Sequence, residues 1–297
     1  MNIIGRKNIF LTISAILIAA SLICIGVFGF RQGIDFRGGT LWQFGIGDAE
    51  FNEAQMEEIF VQELSISDVR VNYEEDSHSV LARLPDINEA THQRGVLLLH
   101  ERFPQFQELS FQSIGPSIGK ELRTRAVWAI ALVSVGISLY IAFAFRKVSR
   151  PVSSWKYGVI TLITLVHDVA IPAGLLAILG RILGVEIDSN FVVALLVVMG
   201  FSVHDTIVVF DRIRENLSKD RGRSDFGVVI NASINETFAR SINTSLTLIL
   251  VLISLLFVGP GALYYFVLTL LVGVTVGIYS SIFVASPALL LVISRRR

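Results

Sequence analysis

In this 297-residue chain, two aspartates, two histidines and one arginine stand out within or beside long apolar stretches, where a charged group is energetically unfavourable. Asp205 follows His204 in one apolar run, and Asp168 follows His167 in an earlier one. Arg240 stands just before a later uncharged stretch. An ionisable side chain inside a bilayer is costly and is therefore a functional hypothesis by default. These residues are the first candidates for chemistry.

Proton transfer is the chemistry that acids and bases at such depth suggest. A carboxylate that alternates between a dry environment and a pairing Arg can take up and release a proton. We therefore predict proton coupling for Asp205 with Arg240, against the alternative of a static pair that only holds two helices in register. For Asp168 with His167, a proton role and simple helix packing are equally open.

Other motifs suggest structure more than chemistry. Beyond Asp205 a run of charges predicts a salt-bridge cluster near the inner membrane surface, made by Asp211, Arg212, Arg214 and Glu215. Small residues predict close helix packing, within the chain or against a partner, at Gly273, Gly277, Ser280, Ser281 and Ala285. Three histidines have no metal-ligand spacing and are interpreted as surface or helix-face residues: His78, His92 and His100. The single Cys24 excludes an internal disulfide.

The elements that must position these residues are membrane spans. Hydrophobic residues make up 53% of the chain and charged residues 17%, against about 45–50% and about 25% in soluble domains. A span needs about 20 apolar residues. The first apolar run is interpreted as a retained anchor rather than a signal peptide, and the turn signal Gly259-Pro260-Gly261 divides the last one. Six spans are predicted, at 8–30, 126–145, 157–180, 189–210, 242–258 and 263–293.

The distribution of Lys and Arg near the span ends predicts the orientation. The short loops of one side carry Arg181 alone, so the opposite, strongly basic side is assigned to the cytoplasm. Both termini are then cytoplasmic, and residues 31–120 are extracytoplasmic. The cytoplasmic positive charges are Arg6, Lys7, Arg146, Lys147, Arg150, Lys156, Arg212, Arg214, Lys219, Arg221, Arg223, Arg295, Arg296 and Arg297.

Residues 31–120 have the pattern of a small folded domain. Their periodicity and turn residues predict the order βαββαβ, which is the ferredoxin-like split βαβ arrangement. The strands are expected at 41–46, 68–75, 79–85 and 107–115, the helices at 52–64 and 87–103, and one turn at Asp76-Ser77. The predicted fold class is a polytopic α-helical membrane protein with six transmembrane helices and a small α+β extracytoplasmic domain. Its parts are 1–30 with the first span, 31–120 outside, and 121–297 with the other five spans.

The formal net charge of zero conceals an asymmetry. Residues 31–120 hold 7 basic and 15 acidic residues, a net charge of −8, and the other residues hold 18 and 10, a net charge of +8. Neutrality is therefore the sum of an acidic outer domain and a basic cytoplasmic rim.

Two segments resemble a known family. GIDFRGGT (33–40), with Gly33, Asp35, Phe36, Gly38 and Gly39, directly follows the first span. GFSVHDTIVVFDRIREN (200–216) lies in the fourth span. Together with the six spans and one large loop, they resemble the SecF family of protein-export membrane proteins, which belongs with SecD to the RND-type transporter superfamily. The resemblance extends over essentially the whole chain.

The resemblance implies a function. A SecF-type chain would form half of a transporter whose other half is SecD, and the SecDF complex would use the proton-motive force to assist SecYEG in moving preproteins across the bacterial plasma membrane. The family's intramembrane acid falls on Asp205 and its basic partner on Arg240. The family often has Asn where this chain has His204, so His204 is added to the predicted proton-coupling residues, either as part of the proton path or as a group that shifts the pKa of Asp205.

Several classes of function are expected to be absent. The resemblance gives no reason to expect a metal or nucleotide cofactor or enzymatic chemistry, and beside the protein partners only membrane lipid, not nucleic acid, is expected to contact the chain. Two alternatives stay open: a half of an RND-type solute or lipid exporter, and a translocon assembly scaffold in which Asp205 is purely structural.

Overall fold

A computed structural model describes residues 1–47, 52–74, 78–146, 152–220 and 222–294. The chain forms two compact units. The first, here called the membrane unit, comprises Met1–Arg31 and Trp128–Arg297, and the second, the sheet unit, comprises Gln32–Val127. The predicted turn at Asp76-Ser77 lies outside the described residues, as do six of the predicted cytoplasmic charges, Lys147, Arg150, Arg221, Arg295, Arg296 and Arg297.

Six helices in the described ranges are long and apolar enough to cross a membrane, which confirms the predicted number. The predicted break at Gly259-Pro260-Gly261 is also confirmed, because one helix ends at Val258 and the next begins at Gly261. Numbered as spans 1 to 6, they are Ile4–Phe28, Pro116–Ala144, Ser154–Ile182, Ser189–Asp220, Phe226–Val258 and Gly261–Val292.

Three spans extend well beyond their predicted apolar runs, each by about ten residues or more at one end. Span 2 begins at Pro116, span 4 continues to Asp220, and span 5 begins at Phe226. Local signals explain the extensions: proline is well suited to a first helical position, and Asp225 caps span 5 by accepting a hydrogen bond from the Gly227 amide at 2.8 Å. The apolar run indicates which part of a helix a bilayer can cover, whereas capping residues and helix-breaking residues determine where the helix begins and ends.

Spans 3, 4 and 6 form the interior of the membrane unit. Of their most apolar windows, 56%, 44% and 56% is buried, compared with 6% for spans 1 and 2. Large side chains fill this interior, among them Tyr157, Ile160, Phe210 and Ile213. Spans 1, 2 and 5 lie at its periphery and expose apolar side chains, as expected of helices that face lipid.

The GxxxG pair brings span 6 close to span 4. A Cβ atom on Gly273 would lie 2.3 Å from Cγ2 of Val198, and one on Gly277 would lie 3.0 Å from Cβ of Ser202. These two glycines therefore serve packing within this chain. Just beyond them, span 6 passes through a π-helical segment, Ser281–Ala285, before it continues as Ser286–Ser294.

The sheet unit has the predicted βαββαβ order, preceded by one short helix. Its elements are α1 (Ile34–Arg37), β1 (Gly39–Gly45), α2 (Glu53–Gln62), β2 (Arg70–Glu74), β3 (Ser79–Leu84), α3 (Glu89–Arg102) and β4 (Gln107–Ile114). The four strands form one antiparallel sheet in the order β2-β3-β1-β4, as in the ferredoxin-like arrangement. Asn52 and Asn88 cap the two main helices with their side chains.

One of the three histidines, predicted at the surface or on a helix face, lies on a helix face that is turned to the core. His92 lies on α3 but is buried, because its face of the helix packs on the sheet against Trp42 and Phe111. Its Nε2 lies 2.6 Å from Oε2 of Glu108, which also accepts a hydrogen bond from Trp42 Nε1 at 3.0 Å. His92 is therefore a core residue of the sheet unit.

Candidate functional site

Asp205 is buried at the contact between spans 4 and 5. Only 2% of the residue is exposed, and its Oδ2 accepts a hydrogen bond from Ser245 Oγ at 3.0 Å. Nδ1 of His204 lies 3.8 Å from the other carboxylate oxygen, while two thirds of the imidazole is exposed. One turn before Ser245, the hydroxyl of Ser241 is buried and has no partner among the described residues.

The structure does not bring Arg240 to Asp205. Among the described residues the two form no ion pair, and Arg240 is exposed on span 5. Ser245 faces Asp205 instead, and five residues along a helix turn the side-chain direction by about 140° and advance it by about 7.5 Å. Asp205 thus has a hydroxyl partner that the sequence did not indicate, and proton coupling through Arg240 stays a prediction.

Span 5 carries a polar stripe on its exposed side. Arg240 is followed at helical spacing by three further exposed polar residues, Asn243, Thr244 and Thr247. Positions separated by three and four residues share one helix face, so the four side chains form a single surface, here called the span 5 stripe. On a helix at the periphery of the membrane unit, such a surface is poorly matched to hydrocarbon.

A second acidic group, Asp168, is buried more completely than Asp205. Its exposure is 0%, and its Oδ2 accepts hydrogen bonds from Ser280 Oγ at 2.7 Å and from Ser202 Oγ. Nδ1 of His167 lies 2.9 Å from Oδ1. Spans 3, 4 and 6 each contribute to this group, here called the Asp168 cluster: His167, Asp168, Ser202 and Ser280. The sequence singled out Ser280 only for packing and gave no signal for Ser202.

The predicted charge motif near the end of span 4 forms ion pairs with a neighbour from span 5. Arg212 contacts Glu215 at 2.6 Å and Glu236 at 2.5 Å, and Arg214 lies 3.5 Å from Asp211. Glu236 is the member that sequence reasoning missed. Because these side chains are a third or more exposed, each pair contributes little stability. A different basic residue, Lys156, was expected in the cytoplasmic rim but is buried, and its Nζ donates to the Val292 carbonyl at 3.2 Å.

The GIDFRGGT segment supplies backbone shape to the sheet unit. Gly33 precedes α1, which contains Asp35 and the buried Phe36. Gly38 and Gly39 have φ of 82° and 133°, where side chains are disfavoured. A Cβ atom on Gly38 would lie 2.8 Å from Cα of Pro116, and one on Gly39 would lie 2.9 Å from the Leu84 carbonyl oxygen. Both glycines are therefore required for the close approach of neighbouring backbone.

No group of three or more His, Cys, Asp or Glu side chains in the described part of the chain is arranged to hold a metal ion. The groups that could carry chemistry are therefore the two buried carboxylates, their histidine neighbours and the basic residue of the span 5 stripe. Carboxyl and imidazole groups in such surroundings can bind and transfer protons.

Comparisons with known proteins give a consistent result. The family described as protein export membrane protein SecD/SecF, C-terminal, matches residues 97–295, and the SecD/SecF GG motif matches residues 25–41. The protein translocase subunit SecF of Thermobaculum terrenum is 44% identical over 96% of this chain and 92% of its own length. The SecF subunit of Haemophilus influenzae is 35% identical over 92% of this chain and 80% of its own length.

Solved structures show the same similarity. The crystal structure of SecDF from Thermus thermophilus, described as a translocon-associated membrane protein, matches all of this chain with a TM-score of 0.81 and 32% identity. A SecDF structure in a super-membrane-facing form matches with a TM-score of 0.70 and 31% identity. This chain spans 39% of the length of each of those SecDF chains.

Proposed function

The chain belongs to the SecD/SecF family of protein-export membrane proteins, and from this premise we propose that it is the SecF-type half of a proton-driven export complex. Its partner half would be SecD, since the solved relatives carry both halves in one chain. The complex would act with SecYEG on translocating preproteins in the bacterial inner membrane. Both termini would be cytoplasmic and residues 31–120 extracytoplasmic.

The observation that carries this proposal is the set of polar side chains that the membrane unit leaves exposed on spans 4 and 5, namely His204 and the span 5 stripe. Arg240 stands at the inner end of its apolar run, whereas His204 and the other stripe residues lie within apolar runs, where a polar group facing lipid is costly. A second polytopic chain would remove this cost by covering the surface and supplying an acidic or polar partner to Arg240. Half of a pseudosymmetric transporter requires such a second half, with the coupling site at the interface.

Proton coupling would work by changing the partner of Asp205. Asp205 is buried, accepts a hydrogen bond from Ser245, and forms no ion pair with Arg240 among the described residues. Movement of span 5, or of the long Arg240 side chain, would bring the cation to the carboxylate and favour release of a proton. Because the acid and its base lie on different helices, each proton would be linked to a relative movement of spans 4 and 5.

Substitution of Asp205 tests the proposal. We expect Asp205→Asn to leave the chain inserted and bound to SecD but to abolish the part of preprotein export that depends on the proton-motive force, because the amide cannot bind the coupled proton. Export into inverted membrane vesicles, with and without a proton gradient, measures this. Asp211→Asn is the matched control, since Asp211 lies on the same helix among exposed ion pairs, and it should leave gradient-dependent export intact.

The outcome also separates the alternatives. Gradient-dependent export at the normal rate by Asp205→Asn would refute the proton-coupling role. Loss of SecD from the purified complex would instead favour a scaffold in which Asp205 is structural. A change in solute tolerance with normal preprotein export would favour an exporter.

A further inference from the structure

The Asp168 cluster contains a carboxyl group with no cation beside it. No Lys or Arg among the described residues contacts Asp168, whose hydrogen-bond partners are Ser202, Ser280 and His167. Serine hydroxyl groups stay neutral, so only His167 can balance a negative charge on Asp168. An unbalanced charge in a dry interior is strongly unfavourable. The charge of the cluster is therefore decided by the protons that His167 and Asp168 share.

The pair is electrically neutral in two arrangements. Either Asp168 is ionised beside a protonated His167, or both side chains are neutral and Asp168 holds the proton. Each arrangement contains one proton more than an ionised Asp168 beside a neutral His167, and such a shared proton belongs to the pair rather than to one residue. The pair thus has the composition of a site for one exchangeable proton.

Two features of the cluster favour a proton that can leave and return over one that is bound permanently. Nε2 of His167 is buried and has no partner among the described residues, so one nitrogen of the imidazole is not committed to a hydrogen bond. The hydroxyl of Ser280 lies 2.7 Å from Asp168 Oδ2 and 3.1 Å from the Gly277 carbonyl oxygen. One hydroxyl proton serves only one acceptor at full strength, so Ser280 can turn to Gly277 when Asp168 is protonated.

The cluster is joined to the packing of the spans. Ser202 contacts Gly277 of the GxxxG pair, and Ser280 directly precedes the π-helical segment Ser281–Ala285. Such segments are rare and are frequent at functional sites. A change in the hydrogen bonds of Ser280 therefore acts where span 6 meets Ser202 of span 4, which precedes Asp205 by three residues.

We propose that the Asp168 cluster is a second proton-binding site of the membrane unit, and that its occupancy controls the contact of span 6 with spans 3 and 4. The proposal rests on the proposed function, since a second proton-binding site has a role only in a complex that is driven by protons. The other titratable groups on the spans packed around the cluster form no hydrogen bond or ion pair with Asp168, and Tyr279 donates to the Phe10 carbonyl instead. They are Arg6, Lys7 and Cys24 on span 1, Lys156, Tyr157 and Arg181 on span 3, His204, Asp205, Asp211, Arg212, Arg214, Glu215, Lys219 and Asp220 on span 4, and Tyr264, Tyr265 and Tyr279 on span 6.

Infrared spectroscopy of the full chain in lipid nanodiscs tests the site directly. A protonated carboxyl group has its own carbonyl stretching band and a protonated imidazole has its own ring bands, so both neutral arrangements of the pair can be observed, and each band disappears as the proton leaves. We expect a titrating band of one of these kinds that Asp168→Asn and His167→Gln each remove or displace and that Asp205→Asn leaves in place. A spectrum in which no titrating band responds to Asp168→Asn and to His167→Gln would overturn the proposal. This readout does not depend on export, so proton coupling at Asp205 can fail while the Asp168 site stands, or the reverse.

Two neighbouring serines give a matched pair of milder variants. Ser280→Ala removes a donor to the ionised carboxylate, so the Asp168 band should persist to higher pH. Ser281→Ala should leave it unchanged, because the Ser281 hydroxyl lies 2.8 Å from Thr206 Oγ1 and does not contact Asp168. If Asp168→Asn fails to fold, the two serine variants still test the proposal. The proposal is contradicted if Ser280→Ala does not shift the band, or if both variants shift it equally.

Discussion

At the scale of single residues, the role of the buried His92 in the sheet unit can be measured. His92→Ala should destabilise the sheet unit by about 1–3 kcal/mol, because it removes the 2.6 Å contact with Glu108 and the ring stacked 3.7 Å from Phe111. Hydrogen exchange of the β4 amides in the full chain measures the effect. Arg94→Ala, on the exposed face of the same helix, is the control, and equal acceleration of exchange by both variants would contradict the assigned role.

The serine partners of the two buried acids show what a single position in the sequence leaves open. Asp168 and Asp205 stand out because a charge interrupts an apolar run, and a histidine precedes each of them. Ser202 and Ser245, which donate to them, carry no such signal, since serine is common in membrane helices and usually bonds to its own backbone. Only the rotational setting of each span decides which hydroxyl meets which carboxylate.

At the scale of elements, local patterns in the sequence were sufficient to predict which strands and helices exist and in which order they follow. Alternating and helical periodicities predicted all four strands and both main helices of the sheet unit, because each pattern reports one buried face. The helix ends were less predictable. Span 5 begins at Phe226 rather than near residue 242 because a helix continues through polar residues until a cap such as Asp225 ends it.

The contact of span 6 with span 4 gives a prediction for an element pair. Gly273→Ala should destabilise the membrane unit by about 1–3 kcal/mol, since the added Cβ would lie 2.3 Å from Val198, whose branched side chain is stiff in a helix. Thermal unfolding in detergent measures this. Gly200→Ala on span 4 meets no atom within 4 Å and should be neutral. The double variant Gly273→Ala with Val198→Ala should recover part of the loss, and a lack of recovery would place the clash elsewhere.

At the scale of the whole molecule, the proposed partner would account for the polar surface of the membrane unit. The neutral total is the sum of the acidic segment 31–120 and the basic remainder. Sequence reasoning predicted a second half from the resemblance and the six spans. It did not indicate where that half would bind, because the span 5 stripe becomes visible only when the buried face of span 5 is known.

The position of the partner can be mapped by photo-crosslinking. A benzoylphenylalanine at Thr244, within the span 5 stripe, should capture SecD in intact membranes, because the partner would cover this face. The same probe at Ile253, which is 37% exposed and points about 180° away around the helix, should capture mainly lipid. The product is identified as SecD by mass spectrometry. Capture of SecD from Ile253 but not from Thr244 would place the partner on another face and leave the exposed Arg240 uncovered, against the proposal.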